Sequence, residues 1–302
     1  MDYFPLTINT PPHPNMSVSQ TDSTVTVTLG SSEVKILRYG ATVLSWTIDG
    51  KEQLWLSESA KLDGSKAVRG GIPLVFPVFG KSTEGPTSAL PQHGFARTST
   101  WEYLGQTSEK PVAAIQFGLG PENLSDEAKK QWDYNFTLIY TVTIDDANKT
   151  LETRMSVENA EQNKPFDFNI LFHTYLRVPE IANVEVTGLQ AVPVKDKVTV
   201  SSYVEQAAKV TVSGEVDRVY ENVPGAVNVD VENKPYLTVT RDNISDVVVW
   251  NPWTEKAEGL ADFTPKQGFH HMICIEAGDV AKWQKLAAGD KWEGGQKIKA
   301  HL

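Results

Sequence analysis

Cysteine is almost missing from this sequence: Cys274 stands alone, which excludes an intramolecular disulfide and fits a reducing compartment, so a cytoplasmic location is expected. Long apolar runs are missing too. Nothing reaches the length needed to span a bilayer, and Met1 to Gln20 lacks the basic n-region and apolar h-region of a secretory signal. Positive charge is in short supply, with 28 Lys and Arg against 38 Asp and Glu and a formal net charge of −10. That removes the basic footprint that non-specific nucleic-acid binding requires. There is no HExxH, CxxC, P-loop or GxGxxG. His270 and His271 are adjacent, so on a strand they face opposite ways and cannot share an ion. Neither a metal nor any other cofactor is expected. Arginine is scarce as well, seven of the 28 basic residues, which makes its placement informative.

What remains is a chain of 302 residues, 40% hydrophobic and 22% charged, with the composition of a globular protein, no internal repeat and no low-complexity segment. Period-two segments dominate it. Candidate strands run from Thr24 to Thr28, Glu33 to Tyr39 and Thr42 to Ile48, with Asp49-Gly50 as a hairpin signal before Gln53 to Leu56. Others are Trp101 to Leu104, Ala113 to Leu119, Phe136 to Ile144, Leu151 to Val157, Val184 to Thr187, Val198 to Ser202, Lys209 to Ser213, Val227 to Val231, Leu237 to Thr240, Asp246 to Trp250, Met272 to Glu276 and Lys297 to Leu302. Pro121 to Trp132 reads as a polar helical interlude with Ser125, Asp126 and Glu127 near its start, and a second short helix is expected over Val280 to Ala287. So many strands and so little helix predict an all-β fold, a large antiparallel β-sandwich with a few short helices.

Three places break the core pattern. Arg69 precedes Gly70-Gly71, and Gln92-His93-Gly94 precedes Arg97, so two of the scarce guanidinium groups and an imidazole hang on irregular backbone stiffened by Pro73 and Pro77. Anion sites are commonly built this way, although a turn with a surface arginine reads the same. In Phe166 to Arg177 the even positions carry Phe166, Phe168, Ile170 and Phe172, while Asn169, His173, Tyr175 and Arg177 share the other face. His173 therefore either meets a ligand or hydrogen-bonds a neighbour. Glu276 ends the apolar strand Met272 to Glu276 on the face of Met272 and Cys274, a place where burial raises a carboxyl's pKa and makes it a usable proton acceptor, unless it sits exposed at a rim. Trp250-Asn251-Pro252-Trp253 either floors a sugar pocket or plugs the sandwich end.

Arg-Gly-Gly-Ile-Pro at 69 to 73 followed by Val-Phe-Pro, Gln-His-Gly-Phe-Ala-Arg at 92 to 97, Phe-His-Thr-Tyr at 172 to 175, Val-Trp-Asn-Pro-Trp at 249 to 253 and Ile-Cys-Ile-Glu at 273 to 276 occur in the order of those blocks in hexose-6-phosphate mutarotases. The chain resembles this family, part of the galactose-mutarotase-like group, from about Val34 to near the C-terminus. The resemblance implies a large antiparallel β-sandwich, His173 as general acid and Glu276 as general base. It places Arg69, Gln92 and Arg97 at substrate positions, the arginines suited to phosphate, and Asp217 at a position that hydrogen-bonds sugar hydroxyls. His93 and Trp250 lie in matching motifs and are expected at the substrate site. Residues 1–20 fall outside as an arm or tail, and 21–302 are expected to form one domain.

The implied reaction exchanges the anomers of hexose 6-phosphates, chiefly D-glucose 6-phosphate. A base takes the C1 hydroxyl proton while an acid protonates the ring oxygen, the ring opens to an aldehyde, and reclosure on the other face gives the other anomer. The expected partner is thus a small hexose 6-phosphate, with no nucleic acid, no membrane, and a monomeric chain. A non-catalytic sugar-phosphate sensor, an aldose 1-epimerase of unphosphorylated sugars and a metal-dependent isomerase are the alternatives.

Overall fold

In a computed structural model, residues 16–107 and 111–302 are described. Among the described residues the named strands pair antiparallel and form three sheets. A five-stranded sheet runs in chain order through Met16–Gln20, Thr24–Leu29, Ser32–Leu37, Thr42–Ile48 and Lys51–Glu52. Its last turn is the expected Asp-Gly hairpin, but the returning strand is Lys51–Glu52 rather than Gln53 to Leu56: Ile48 pairs with Lys51, and Asp49 and Gly50 take φ of 50° and 74°. An eight-stranded sheet is built around Phe136–Asp145, Thr150–Asn159 and Lys291–Ala300. The third sheet, called the site sheet below, runs Ser201–Val204, Pro193–Asp196, Val216–Tyr220, Asp246–Asn251, Met272–Leu286, Phe166–Phe172, Leu74–Val75, with Tyr175–Arg177 also paired to Met272–Leu286.

The site sheet is buried on both faces, and strand alternation explains how. Phe166, Phe168, Ile170 and Phe172 join Val247, Val249, Ile273 and Ile275 in the large core against the other sheets. The opposite face carries Leu171, Tyr175, Val219, Val248, Trp250, Met272 and Cys274 in a second core. Along Phe166 to Arg177 this face was expected to be polar. It is covered instead by the chain after Asn251, which supplies Ala257, Phe263 and Phe269, and by Trp55.

Local propensity fails at two points. Val280 to Ala287 does not form a helix; strand Met272–Leu286 continues through it, with Phe166 paired to Leu286 and Phe168 to Gln284. The buried Asp246 carboxylate accepts the Val280 and Ala281 N–H groups, and Asn169 donates to Lys282 O at the bulge, so long-range partners outweigh helix formers such as Ala, Lys and Gln. Glu276 consequently lies inside a strand rather than at its end. Conversely, Trp253–Gly259 is helical and was not anticipated. Of the short edge segments, Val198 to Ser202 is displaced to Ser201–Val204, and Lys209 to Ser213 contributes only a bridge at Val210 to Val186. The Pro121 to Trp132 interlude resolves into a 3₁₀ turn, Pro121–Asn123, and a helix, Asp126–Gln131, whose Ser125 Oγ accepts from Ala128 N–H.

Candidate active site

Register lines up the site. On the second face of the site sheet, Asp217, Trp250, Cys274 and Tyr175 stand opposite one another across four strands, and Val219, Val248 and Glu276 form the next row. His173 occupies the break between Phe166–Phe172 and Tyr175–Arg177. There Thr174 N–H bonds back to Phe172 O at 2.8 Å, and Gln296 donates to the Thr174 hydroxyl from the neighbouring sheet at 2.7 Å. The break turns the imidazole onto Glu276, with Nδ1 to Oε1 at 3.4 Å. Tyr175 stacks on it at 4.8 Å with planes 10° apart, and Trp250 meets it edge-on.

The Arg69 segment docks beside this break. His173 N–H donates to Pro73 O and Tyr175 N–H to Gly71 O, both at 2.9 Å. The docking needs glycine: Gly71 has φ 65°, and a Cβ there would stand 2.1 Å from Val43 O. Arg69 is thereby placed to donate from Nε to Asp262 at 3.3 Å and from Nη1 to the Tyr175 hydroxyl at 3.1 Å. The Tyr175 oxygen and the Asp262 carboxylate hold that guanidinium charged against its burial. His93, at φ 67°, reaches the same cleft; its Nδ1 accepts from Gly80 N–H at 3.2 Å, so the neutral ring carries its proton on Nε2.

Arg69, Gln92, His93, His173, Asp217, Trp250 and Glu276 thus surround one cavity of about 330 Å³. Arg97 does not line it. Its Nη2 is occupied by Gln92 O at 2.7 Å, its Nε is buried without a partner among the described residues, and burial followed by Arg69's like charge lowers its pKa to about 10. Asn169 and Arg177, placed with His173 by alternation, serve the backbone instead, bonding Lys282 O and Leu54 O. Larger clefts lie elsewhere, among them one at residues 81–87 and Trp283 and one between Phe95 and the Asp126–Gln131 helix. Neither holds a facing imidazole and carboxylate.

Burial governs the electrostatics. The Glu276 side chain is 2% exposed, and desolvation reinforced by Asp217 pushes its carboxyl well above the usual range, with Lys197 opposing. Burial pushes His173 well down, helped by His93, Arg69 and Arg97. His93 is driven to about 3 by burial and the neighbouring cations. Both His173 Nδ1 and Glu276 Oε2 are buried without a hydrogen-bond partner among the described residues. Such atoms are costly unless something supplies bonds, and a sugar hydroxyl is suited to do so. The same two residues and Cys274 bring one N, one S and one O donor within 4.8 Å of each other, a set that would fit a borderline-soft ion only after the buried thiol, pushed well up, gave up its proton.

Lys197, Lys256, Phe79 and Leu260 also line the cavity and were missed. No motif or periodicity marks Lys197 or Lys256 among 21 lysines, and Asp262, the partner of Arg69, is equally unmarked.

A β-sandwich whose inner strands hold an imidazole and a carboxylate side by side in an open, partly cationic cleft is the arrangement of a sugar mutarotase. The comparisons agree. The family model described as aldose 1-epimerase matches residues 23–299, and the chain belongs to that family. A protein of Cenchrus ciliaris named "Putative glucose-6-phosphate 1-epimerase" is 34% identical over 269 residues, 86% of this chain and 79% of its own length. One of the same name from Escherichia coli K12 is 30% identical over 250 residues, 82% and 80% of the two chains. Among solved structures, one titled a "putative mutarotase" from Salmonella typhimurium superposes with a TM-score of 0.80 at 26% identity, covering 95% of this chain and 94% of that one.

Proposed function

We propose that this epimerase interconverts the α and β anomers of hexose 6-phosphates, chiefly D-glucose 6-phosphate, by acid–base ring opening and reclosure. The contact that carries the reading is His173 Nδ1 to Glu276 Oε1 at 3.4 Å, with His173 Nδ1 and Glu276 Oε2 lacking a hydrogen-bond partner among the described residues. The opposite pKa shifts, both caused first by burial, favour the neutral form of each group, an arrangement in which the pair shares one proton and Glu276 carries it. Moving that proton to His173 creates the ionised pair without changing the total, and the two arrangements titrate as one unit. With the proton on His173, the imidazolium protonates the ring oxygen while the carboxylate takes the C1 hydroxyl proton; the C1–O5 bond breaks and the aldehyde forms. Rotation about C1–C2 and reclosure return both protons.

Asp217, with a raised pKa from burial, is placed to bond ring hydroxyls, and Trp250 forms an apolar wall for the ring. Arg69 has Nη2 left without a partner among the described residues, and Gln92 adds an amide, so an anionic substituent has donors beside the ring site; Arg97 supports Gln92 from behind. The relatives named as glucose-6-phosphate 1-epimerases support the phosphorylated substrate, and the single unpaired cysteine fits a cytoplasmic location. Polarimetry or exchange NMR of α-D-glucose 6-phosphate with purified protein, with and without chelator, tests the proposal. Acceleration in both conditions is expected, and no acceleration above spontaneous mutarotation refutes it. Equal acceleration of free glucose would make the protein an aldose 1-epimerase of unphosphorylated sugars.

A further inference from the structure

Four cationic side chains stand at or near the cavity, and they are not equally available to an anion. Arg69 is tied by Nε to Asp262 and by Nη1 to Tyr175. Arg97 does not line the cavity and bonds Gln92 O. Lys256 is paired with Glu215 at 3.3 Å. Lys197 is different. Its backbone N–H donates to Asp217 O at 2.8 Å, which fixes the residue at the end of strand Pro193–Asp196 beside the central strands. Its Nζ lies 4.0 Å from the centre of the Phe79 ring and 3.7 Å from Asp217 Oδ1, beyond hydrogen-bond length. The ammonium is thus held in place by an aromatic face and a long ion pair to Asp217, and no other acceptor among the described residues engages its N–H donors. Placement on the wall of the same cavity brings its field onto His93, Asp217 and Glu276.

We infer that Lys197 is a specificity-determining residue of this site, supplying the ammonium that binds the phosphate dianion of the substrate. The inference rests on the hexose 6-phosphate reading above and adds a ligand to it. A preorganised ammonium whose one ion pair, to Asp217, is long at 3.7 Å supplies, in a chain of net charge −10, the local positive field such a substrate needs. Phosphate binding also leaves the ammonium's repulsive effect on the His93 side of the cleft neutralised. Lysine acts here as a point charge, so it tolerates more than one phosphate orientation, unlike a forked guanidinium.

The test compares Lys197→Met and Lys197→Arg with the parent protein, measuring kcat/KM for D-glucose 6-phosphate and for D-glucose, and the inhibition constant of inorganic phosphate. Methionine keeps an unbranched stem over Phe79 and removes the charge, and the position is 42% exposed, so both variants should fold. Loss of one charge-assisted contact should lower the ratio of the two kcat/KM values by about 10- to 150-fold and weaken inhibition by inorganic phosphate by a similar factor. Lys197→Arg should recover most of both. If Lys197→Met lowers glucose and glucose 6-phosphate turnover equally, Lys197 acts only through Asp217 and Glu276 and the inference is overturned. It is equally overturned if a high ratio in the parent protein survives the substitution, an outcome that leaves the proposed reaction standing. A ratio near one in the parent protein removes the phosphosugar reading itself, and this inference with it.

Discussion

Replacing Glu276 with glutamine tests the chemistry and the electrostatics of the site in one variant, because the two predictions have opposite sign. The substitution keeps the shape of a side chain that is 2% exposed and removes only its ability to exchange a proton. Without the base, anomer exchange should slow by roughly 10²- to 10⁴-fold, about 2.7–5.4 kcal/mol in the barrier at ~1.36 kcal/mol per decade. Stability should move the other way. In the folded protein burial and Asp217 raise the Glu276 pKa well above the ordinary value of 4.5. A raised pKa contributes stability that is complete below the unfolded value and is lost as pH rises through the folded one. Between those limits the folded state holds one more proton than the unfolded chain, so Glu276 alone costs about 1.4 kcal/mol per pH unit, or a few °C of Tm. Glutamine has no such slope. Thermal unfolding at half-unit steps from pH 4.5 to 7 should therefore show the variant gaining on the parent protein as pH rises. Parallel Tm curves would refute the desolvated carboxyl, and near-normal exchange by polarimetry would refute its role as base.

His173→Asn should cost a similar 10²- to 10⁴-fold in exchange rate, checked by the same polarimetric assay. The parent protein's pH–rate profile should be bell-shaped, falling in acid through a group displaced below 6.5 as the pair gains a second proton, and falling in alkali through one displaced above 4.5 as it loses its last; a profile flat across both limbs would contradict a one-proton pair. Asp262→Asn removes the carboxylate that holds Arg69 Nε, a charge-assisted contact of about 1.5–3 kcal/mol, and should raise KM for glucose 6-phosphate by up to roughly 150-fold with a smaller effect on free glucose; an unchanged KM in steady-state kinetics would show that the orientation of Arg69 is set elsewhere. Gly71→Ala forces a Cβ to 2.1 Å from Val43 O at φ 65° and should lower stability by more than the ~1–3 kcal/mol of backbone strain alone, read as a Tm drop; a Tm within a degree of the parent would mean the 70–75 segment relaxes freely.

Much of the architecture is legible in the sequence because a strand writes its burial into every second residue. Thr24–Leu29, Phe136–Asp145 and Thr150–Asn159 alternate buried and part-exposed positions along their length, and they appear where the pattern puts them. The same period separates His173 from Phe172 and puts Glu276 on the face of Cys274. It does not say what lies over that face. Val280 to Ala287 shows the limit from the other side: its composition suits a helix, and pairing with Phe166–Phe168 together with the Asp246 carboxylate, 34 residues earlier than Val280, holds it as strand.

Residue type and order by themselves determined the fold class, the two faces of each long strand, and which unusual side chains to watch, since those follow from local periodicity and from glycines and prolines that permit few conformations. Tertiary structure decided everything that depends on strand register and through-space charge. Register sets Asp217 opposite Trp250 and Trp250 opposite Cys274, the break at His173 turns an imidazole onto Glu276, and Arg97 is set behind the cavity while Lys197 is set on its wall. No local signal distinguishes that lysine from the other 20, because its significance is a distance to Phe79 and Asp217, and distance across a sheet is fixed only when every strand between has found its partner.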